Sequence, residues 1–283
     1  MLQPIETVRA EAIYKEIKTQ GSSPLRIFAD DGESYIAKTT TGQVPWVEVI
    51  NEILCGYLAM CWKLAVPPFA LVRISPKLAE TFQKEKGSLS QRHYGSCLFD
   101  DRVFFGSREI ACQTEAEQYL TGATHYAQFP YFHQPLDWLK IGVFDLWVGN
   151  KDRKPDNPNI LLGSRYDERI ALAPIDHTAA FAYLRNHREV TDNKLFIEPK
   201  NCILSHQFVK SIVKFAPRDS IQAVRADVLT GMECALDQFD FIVEQVPSAW
   251  GFSAKAKAHL KQFLADRVRN ERIASAYLNY LNT

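Results

Sequence analysis

The stretch from Phe144 to Leu162 reads FDLWVGNKDRKPDNPNILL, passing from an apolar helical pattern through a polar turn into a short apolar run. The pattern predicts that the helix ends at Gly149-Asn150 and that a loop rich in Asp, Asn and Pro follows. In that loop Asp152 and Asn157 are five residues apart. An acid and an amide at this spacing suit a loop in which the acid accepts a hydroxyl proton and the amide holds a metal ion. Taken alone, the pair is better explained as part of a Pro/Asp/Asn-rich surface turn.

A further acid follows the next apolar run. Residues 170–175 (IALAPI) are predicted to form a strand that ends in Asp176-His177-Thr178. An unpaired carboxylate is costly to bury directly after a buried strand, so Asp176 needs a partner or must cap a helix. A divalent metal is one such partner, since Mg²⁺ prefers one or two carboxylates together with substrate phosphates.

Two charged residues upstream lie in apolar surroundings. Lys38 lies in the strand-like run at residues 34–39 (SYIAKT), which follows the hairpin signal Asp30-Asp31-Gly32-Glu33. Glu52 lies in the helical pattern of residues 44–64. Each has a structural explanation when taken alone: a lysine that reaches the strand edge, and an acid at the boundary of an apolar helix face.

The remaining patterns predict an α+β fold of two lobes with a ligand cleft between them. The N-terminal lobe, residues 1–100, is expected to hold one main helix and a loop or exposed excursion at 77–92. Its strands are expected at 12–19, 25–29, 34–39, 69–74 and 95–99. The C-terminal lobe, residues 101–283, is expected to be mainly helical, with helices over 131–148, 204–246 and 253–281 and short apolar runs at 159–162 and 170–175.

The four positions occur in the order of parts of a protein-kinase-type phosphoryl-transfer site. In this interpretation Lys38 binds the α- and β-phosphates of ATP, and Glu52 orients the Lys38 side chain. Asp152 positions or deprotonates the acceptor hydroxyl. Asn157 and Asp176 hold Mg²⁺.

These segments resemble the HipA-like kinases of bacteria, in particular the compact members without an extra N-terminal subdomain. The resemblance rests on residues 144–162 and 170–181 (IALAPIDHTAAF), and also on 51–74 (NEILCGYLAMCWKLAVPPFALVRI) and 30–38 (DDGESYIAK). It covers roughly residues 10–185 and implies a bilobal protein-kinase-like fold, ATP with Mg²⁺, and phosphorylation of a protein Ser or Thr. A toxin–antitoxin role with a regulatory or antitoxin partner is a further expectation that accompanies the resemblance.

The chain departs from the usual kinase motifs at three places. Gly21-Ser22-Ser23 replaces the longer Gly-rich phosphate loop, and its backbone amides are expected to bind ATP phosphates. Asn150-Lys151-Asp152 replaces His-Arg-Asp. Asp176-His177-Thr178 replaces Asp-Phe-Gly. Because Thr accepts unusual backbone angles less readily than Gly, inactivation by flipping of this segment is not expected.

Three subsidiary expectations concern the surroundings of the site. Related bacterial kinases are switched off by phosphorylation of a loop serine, so autophosphorylation at Ser22 or Ser23 is expected to repel the phosphates of ATP. Lys151 or Lys154 is expected to help neutralise the transferred phosphoryl group. Contacts to adenine are expected near Cys97-Leu98-Phe99.

Composition limits the other classes of function. The 283 residues carry 33 Lys plus Arg and 33 Asp plus Glu, so a strongly basic surface for nucleic acid or anionic membrane is not expected. The six cysteines include no C-x-x-C pair, which argues against a structural zinc site. Charges near the N-terminus and the lack of a run of about 20 apolar residues predict a cytoplasmic protein without a membrane segment.

Two alternatives remain open from the sequence. A small-molecule kinase acting on a sugar, an aminoglycoside or a lipid headgroup uses the same Asp-x4-Asn loop, although the Lys/Arg-rich loop here does not suit cationic substrates. A nucleotide-binding pseudokinase that acts as a partner-binding module would keep the same nucleotide site without transferring phosphate.

Overall fold

A computed structural model describes residues 2–18, 23–38, 47–94, 99, 102–110, 114–117, 120, 126–164, 169–182 and 202–280. Within these ranges a small β-barrel precedes a larger, mainly helical part. The predicted α+β fold, with a small β-rich N-terminal lobe and a larger helical C-terminal lobe, is therefore confirmed.

The barrel has five strands in the order β1-β2-β3-β5-β4. Their bounds are β1 Thr7–Glu16, β2 Leu25–Ala29, β3 Ser34–Lys38, β4 Phe69–Arg73 and β5 Val103–Arg108. The barrel closes because β1 pairs in parallel with β4, while the other neighbours pair antiparallel. The predicted hairpin joins β2 to β3, and Gly32 provides the positive φ of 82° that its turn requires.

Strand β5 lies beyond residue 100, in a part of the chain that was expected to be mainly helical. Its pattern is weak because Gly106 interrupts the apolar run. A Cβ at this glycine would lie 2.5 Å from Val72 Cγ2 of the neighbouring strand β4. The strand predicted at 95–99 is not supported at its last residue. Residues 95–98 lie outside the described part of the chain, and the buried ring of Phe99 stacks near those of Tyr94 and Phe104.

Helix α1 spans Val47–Cys61, within the predicted helical pattern. Helix α2 spans Pro76–Lys86, where a loop or exposed excursion was expected, and α3 spans Gln91–Tyr94. The loop prediction was wrong because the start signal was overlooked: Ser75 Oγ accepts the Leu78 N–H as an N-cap, and Pro76 occupies the first turn. The expected exposure is correct, since the buried residues of α2 are Ala79 and Phe82.

The C-terminal part combines a small sheet with packed helices. Its strands are β6 Thr114–Glu115, β7 Ile160–Ser164 and β8 Ile170–Pro174, in the order β6-β7-β8. Its helices are α4 Asp137–Val148, α5 Gln207–Phe215, α6 Arg218–Asp237, α7 Phe239–Glu244, α8 Ala254–Ala265 and α9 Arg267–Ala274. Short 3₁₀ helices cover Tyr126–Tyr131, Ala180–Ala182, Ile203–Ser205, Ser248–Trp250 and Ala276–Tyr280. Among the described helices, none combines the length and the hydropathy needed to cross a bilayer.

Two apolar cores organise the molecule. One fills the barrel, and the larger one joins the C-terminal helices to α1. Trp62, just after α1, packs its ring 5.3 Å from Phe144 and 5.4 Å from Trp147 of α4, measured between ring centroids. Helix α1 is therefore fixed relative to the loop that follows α4, and both carry predicted site residues.

Candidate active site

Lys38 and Glu52 form an ion pair between strand β3 of the barrel and helix α1. Along β3, Tyr35 and Ala37 are buried in the barrel core, so the alternating residues Ile36 and Lys38 face the cleft. Lys38 Nζ lies 2.7 Å from Glu52 Oε1 of α1, and Glu52 is only 4% exposed. The structure thus brings together the strand lysine and the helix acid.

Asp176 completes a three-residue charge cluster around the same lysine. It follows β8 with a left-handed φ of 57°, and its Oδ1 lies 3.1 Å from Lys38 Nζ. Thr178 Oγ1 donates a 2.9 Å hydrogen bond to the same carboxylate oxygen. Strand β8 and the turn after it therefore place the predicted acid Asp176 beside Lys38.

The charges of this cluster support one another. Burial disfavours a charged Lys38, but the carboxylates of Asp176 and Glu52 outweigh that effect and raise the pKa of Lys38 above its ordinary value. Burial likewise disfavours a charged Glu52, yet the ammonium of Lys38 and hydrogen bonding from His177 hold the pKa of Glu52 well below its ordinary value. The pair is therefore ionised at neutral pH.

Helix α1 also anchors the Asp-His-Thr segment. The His177 N–H donates to Glu52 Oε2 at 3.0 Å. Asn51 Nδ2 donates to the carbonyl oxygens of Thr178 and Ala180, both at 2.9 Å. Two consecutive residues of α1 thus hold the segment that carries Asp176, in keeping with the expectation that it does not flip.

Asp152 and Asn157 meet within the loop after α4. Asn157 Nδ2 donates to the Asp152 carboxylate at 3.1 Å and lies 3.3 Å from its carbonyl oxygen. The Asp152 N–H donates to Asn150 Oδ1 at 3.1 Å. These contacts orient the acid from both sides, as the five-residue spacing predicted.

A cavity of about 660 Å³ lies next to the charge cluster, within the range of about 300–1,000 Å³ usual for ligand sites, and neither Asp152 nor Asn157 is among the residues that line it. Lys38, Glu52 and Asp176 line one part of its wall. Ile17 and Pro24, which flank the predicted phosphate loop, line another and are joined by a 2.8 Å backbone hydrogen bond. The cavity therefore extends from the charge cluster to the ends of that loop.

The predicted phosphate loop is described only at its last residue, because Gly21 and Ser22 lie outside the described part of the chain. Ser23 is 3% exposed and adopts a left-handed φ of 43°. Its carbonyl oxygen accepts a 2.7 Å hydrogen bond from the Tyr94 hydroxyl. Helix α3 thus holds the C-terminal end of this segment.

Comparison with known proteins identifies the family. The family model for HipA-like kinases matches residues 11–276. The chain belongs to the HipA-like kinase family. The match covers more of the chain than the sequence resemblance did, because it also includes the C-terminal helices beyond residue 185.

Two solved structures are similar to this HipA-like kinase. The proinflammatory kinase CtkA of Helicobacter pylori is 13% identical, with a TM-score of 0.57 and 99% of both chains covered, which shows a shared kinase fold. A Golgi casein kinase, solved with Mn and ADP bound, is 10% identical with a TM-score of 0.47, over 99% of this chain and 74% of that one. No curated protein matched significantly.

In this HipA-like kinase, a buried ion pair that residue spacing did not predict supports the loop that carries Asp152. Arg153 is fully buried, with Nε 2.8 Å from Asp145 Oδ2 of α4. Its Nη1 donates to the carbonyl oxygens of Pro158 and Asn159. Burial raises the pKa of Asp145 despite the charge of Arg153. The one available sequence signal was an acid inside the apolar run FDLWV, which requires a buried partner.

Two subsidiary predictions stay predictions. Lys151 and Lys154 are exposed and, like Asp152 and Asn157, are not among the residues that line this cavity. Of the segment near which adenine contacts were expected, Cys97 and Leu98 lie outside the described residues, and Phe99 packs in the barrel core. The end of β5, where Ser107 and Arg108 continue into Glu109, lines the cavity instead.

Proposed function

We propose that this HipA-like kinase transfers the γ-phosphoryl group of ATP, together with Mg²⁺, to a Ser or Thr hydroxyl of a protein. The observation that carries the proposal is the contact of Lys38 with both Glu52 and Asp176 on the cavity wall. A lysine held in this way is charged, and it stands beside a carboxylate that follows a strand. This is the pairing on which protein-kinase phosphoryl transfer depends.

The side chains present suit a Mg-nucleotide. Carboxylate and amide oxygens are the ligands that Mg²⁺ prefers, with phosphate oxygens completing the shell, so Asp176 and Asn157 would hold the ion. The Asp176 side chain is 37% exposed and accessible from the cavity. An ion held by these residues would supply positive charge that offsets the negative charge of the phosphates. Lys38 would hold the α- and β-phosphates while Glu52 orients it.

Asp152 is proposed to receive the proton of the acceptor hydroxyl. As that proton leaves, the acceptor oxygen bonds to the γ-phosphorus, the bond to the bridging oxygen breaks, and ADP departs. Asn157 and Asn150 keep the Asp152 loop in position for this step. The family resemblance supports a protein acceptor.

The test is the intact mass of wild-type and Asp152→Asn protein after incubation with Mg-ATP, with ADP measured in the same samples. Removing a positioned base usually lowers the rate by about 10² to 10⁴. We expect wild type to gain a phosphoryl group and Asp152→Asn to bind the nucleotide, keep its fold and lose turnover. Unfolding of Asp152→Asn would show that Asp152 is structural instead.

The same experiment separates the alternatives. ADP formation without a mass gain, in a sample that also contains candidate protein substrates, would favour a small-molecule acceptor. Nucleotide binding without ADP formation would favour a pseudokinase. The absence of both binding and turnover would contradict the proposal. The toxin–antitoxin role, the partner protein and the cytoplasmic location remain predictions.

We further propose that Ser22 or Ser23 is the autophosphorylation site. Modification of Ser23 requires the segment to leave its present position, because this serine is buried and its carbonyl oxygen is bonded to Tyr94. Peptide fragmentation after incubation with Mg-ATP should locate the phosphate at one of the two serines. Undiminished autophosphorylation of a Ser22→Ala/Ser23→Ala variant would contradict this assignment.

A further inference from the structure

The cavity wall carries an amide, Asn159, that was not among the predicted site residues. Its φ of 44° is left-handed, a conformation that Asn adopts more readily than other non-glycine residues. Its carbonyl oxygen accepts hydrogen bonds from Arg153 Nη1 and, at 2.9 Å, from the Ile175 N–H. The buried Arg153 and the end of β8 therefore fix the backbone of Asn159 next to Asp176.

The side chain of Asn159 lies beside the proposed base. Its Nδ2 is 3.5 Å from Asp152 Oδ2, and the residue lines the cavity together with Asp176. Asn157 contacts the same Asp152 oxygen but is not among the residues that line the cavity. Asn159 is thus an amide placed between the proposed base and the nucleotide side of the site.

Several of the basic side chains near this position have other partners or lie in an exposed turn, although Lys15 and Arg108 also line the cavity. Lys154 lies in an exposed turn whose backbone pairs with Asn157, with hydrogen bonds of 3.0 and 3.1 Å. Lys38 is bound to Glu52 and Asp176. In the cavity wall, Arg26 is paired with Glu109.

A neutral donor suits the position beside Asp152. A cation there would stabilise the charged carboxylate and lower its basicity, which would weaken it as a proton acceptor. An amide donates a hydrogen bond without adding that charge. Donors fixed in advance where negative charge develops are among the larger contributors to catalysis.

Resting on the proposed function, we propose that Asn159 is a further catalytic residue, whose Nδ2 donates to a nonbridging oxygen of the γ-phosphoryl group during transfer. In this step the γ-phosphorus loses its bond to the β,γ-bridging oxygen and gains one to the acceptor oxygen. The acceptor proton passes to Asp152, and ADP leaves with the bridging oxygen. Asn159 thereby takes the part that the sequence analysis assigned to Lys151 or Lys154.

The test compares binding of Mg·ADP alone with binding of Mg·ADP plus fluoroaluminate, which mimics the group in transfer. Wild type should bind the second combination more tightly, as transition-state analogues do. The variant Asn159→Gly removes the amide and keeps the left-handed backbone accessible. We expect its affinity for Mg·ADP alone to stay within about twofold of wild type. The increase in affinity that fluoroaluminate causes, here called the fluoroaluminate gain, should be about 10²-fold smaller than in wild type. Thr230→Ala, on the exposed face of α6 and not among the residues that line the cavity, is the control and should keep that gain.

Other outcomes of the same experiment test the proposal. An unchanged fluoroaluminate gain in Asn159→Gly, or equal loss of affinity for both combinations, would overturn the role in transfer and leave Asn159 with a structural role. Asn159→Asp, which replaces the donor with a carboxylate, should lose at least as much of the gain as Asn159→Gly. If wild type itself fails to bind Mg·ADP, the proposed function fails and this inference fails with it. If wild type shows the fluoroaluminate gain and the Asn159 variants do not behave as expected, only the role of Asn159 is contradicted.

Discussion

Lys38 and Glu52 depend on each other because both are largely buried, 2.7 Å apart. We expect Lys38→Met to lower the free energy of unfolding by about 3–5 kcal/mol, since it leaves the Glu52 charge in the interior without its partner. The double variant Lys38→Met/Glu52→Gln should cost less than Lys38→Met alone, because no buried charge is left behind in that pair. Urea denaturation of both variants measures the difference. Glu33→Gln in the exposed Arg108–Glu33 pair is the control and should change stability by less than about 1 kcal/mol.

The same ion pair gives stability a defined pH dependence. The pKa of Glu52 is depressed in the folded state, so its contribution is present above the ordinary carboxyl pKa of about 4.3 and is lost as the pH falls below that value. The pKa of Lys38 is raised, so its contribution is present below about 10.4 and is lost at higher pH. We expect the stability difference between wild type and Glu52→Gln to shrink as urea titrations move from neutral pH to about pH 3. A difference that stays constant over this range would show that the Glu52 charge does not contribute.

At the residue scale, spacing along the chain located the charged residues of the site. Asp152 was found by its spacing to Asn157, and Lys38, Glu52 and Asp176 were found because charged groups within or next to apolar runs are unusual. The function of Arg153 was not found, because it depends on complete burial against Asp145 and on carbonyls turned towards it. Those are consequences of tertiary packing, which residue spacing does not contain.

At the scale of elements, the position of Glu52 depends on the crossing of α1 and α6. The helices approach at Gly231, where an added Cβ would lie 2.9 Å from the Trp62 ring and 3.1 Å from Trp62 Cα. We expect Gly231→Ala to destabilise the protein by about 1–3 kcal/mol, because overpacking outweighs the gain in helix propensity. Thr230→Ala, on the exposed face of α6, should change stability by less than about 0.5 kcal/mol. Equal stability of the two variants in urea would contradict this account of the crossing.

Elements with strong local signals were predicted correctly, and elements that depend on distant partners were not. The β2–β3 hairpin has its own turn chemistry, and α1 has its own apolar periodicity. Strand β5 has neither, since Gly106 is required by close contact with Val72 and the pairing partners β3 and β4 lie far away in sequence. Helix α2 did have local signals, but its largely polar composition concealed them.

At the scale of the whole molecule, the two lobes share their packing. Helix α1 belongs to the larger core although it lies between strands of the barrel in sequence. The N-terminal segment adds further links: the Ile5 N–H donates to Gln245 Oε1 at 3.1 Å, and the Tyr57 hydroxyl donates to the Gln3 carbonyl at 2.9 Å. The Leu71 N–H of β4 donates to the Glu6 carbonyl at 2.8 Å. The barrel, α1 and the C-terminal helices are therefore mechanically connected.

This connection predicts one cooperative unfolding transition instead of separate transitions of the lobes. Trp62, Trp138, Trp147 and Trp250 are buried in the larger core, so their fluorescence reports on that core. Hydrogen exchange of the β1–β5 amides reports on the barrel. We expect the urea midpoints of fluorescence, far-UV circular dichroism and barrel protection to coincide, because the barrel cannot separate without exposing α1. If the β1–β5 amides lose their protection from hydrogen exchange at a lower urea concentration than the fluorescence change, the lobes unfold independently. The shared core would then not couple the unfolding of the two lobes.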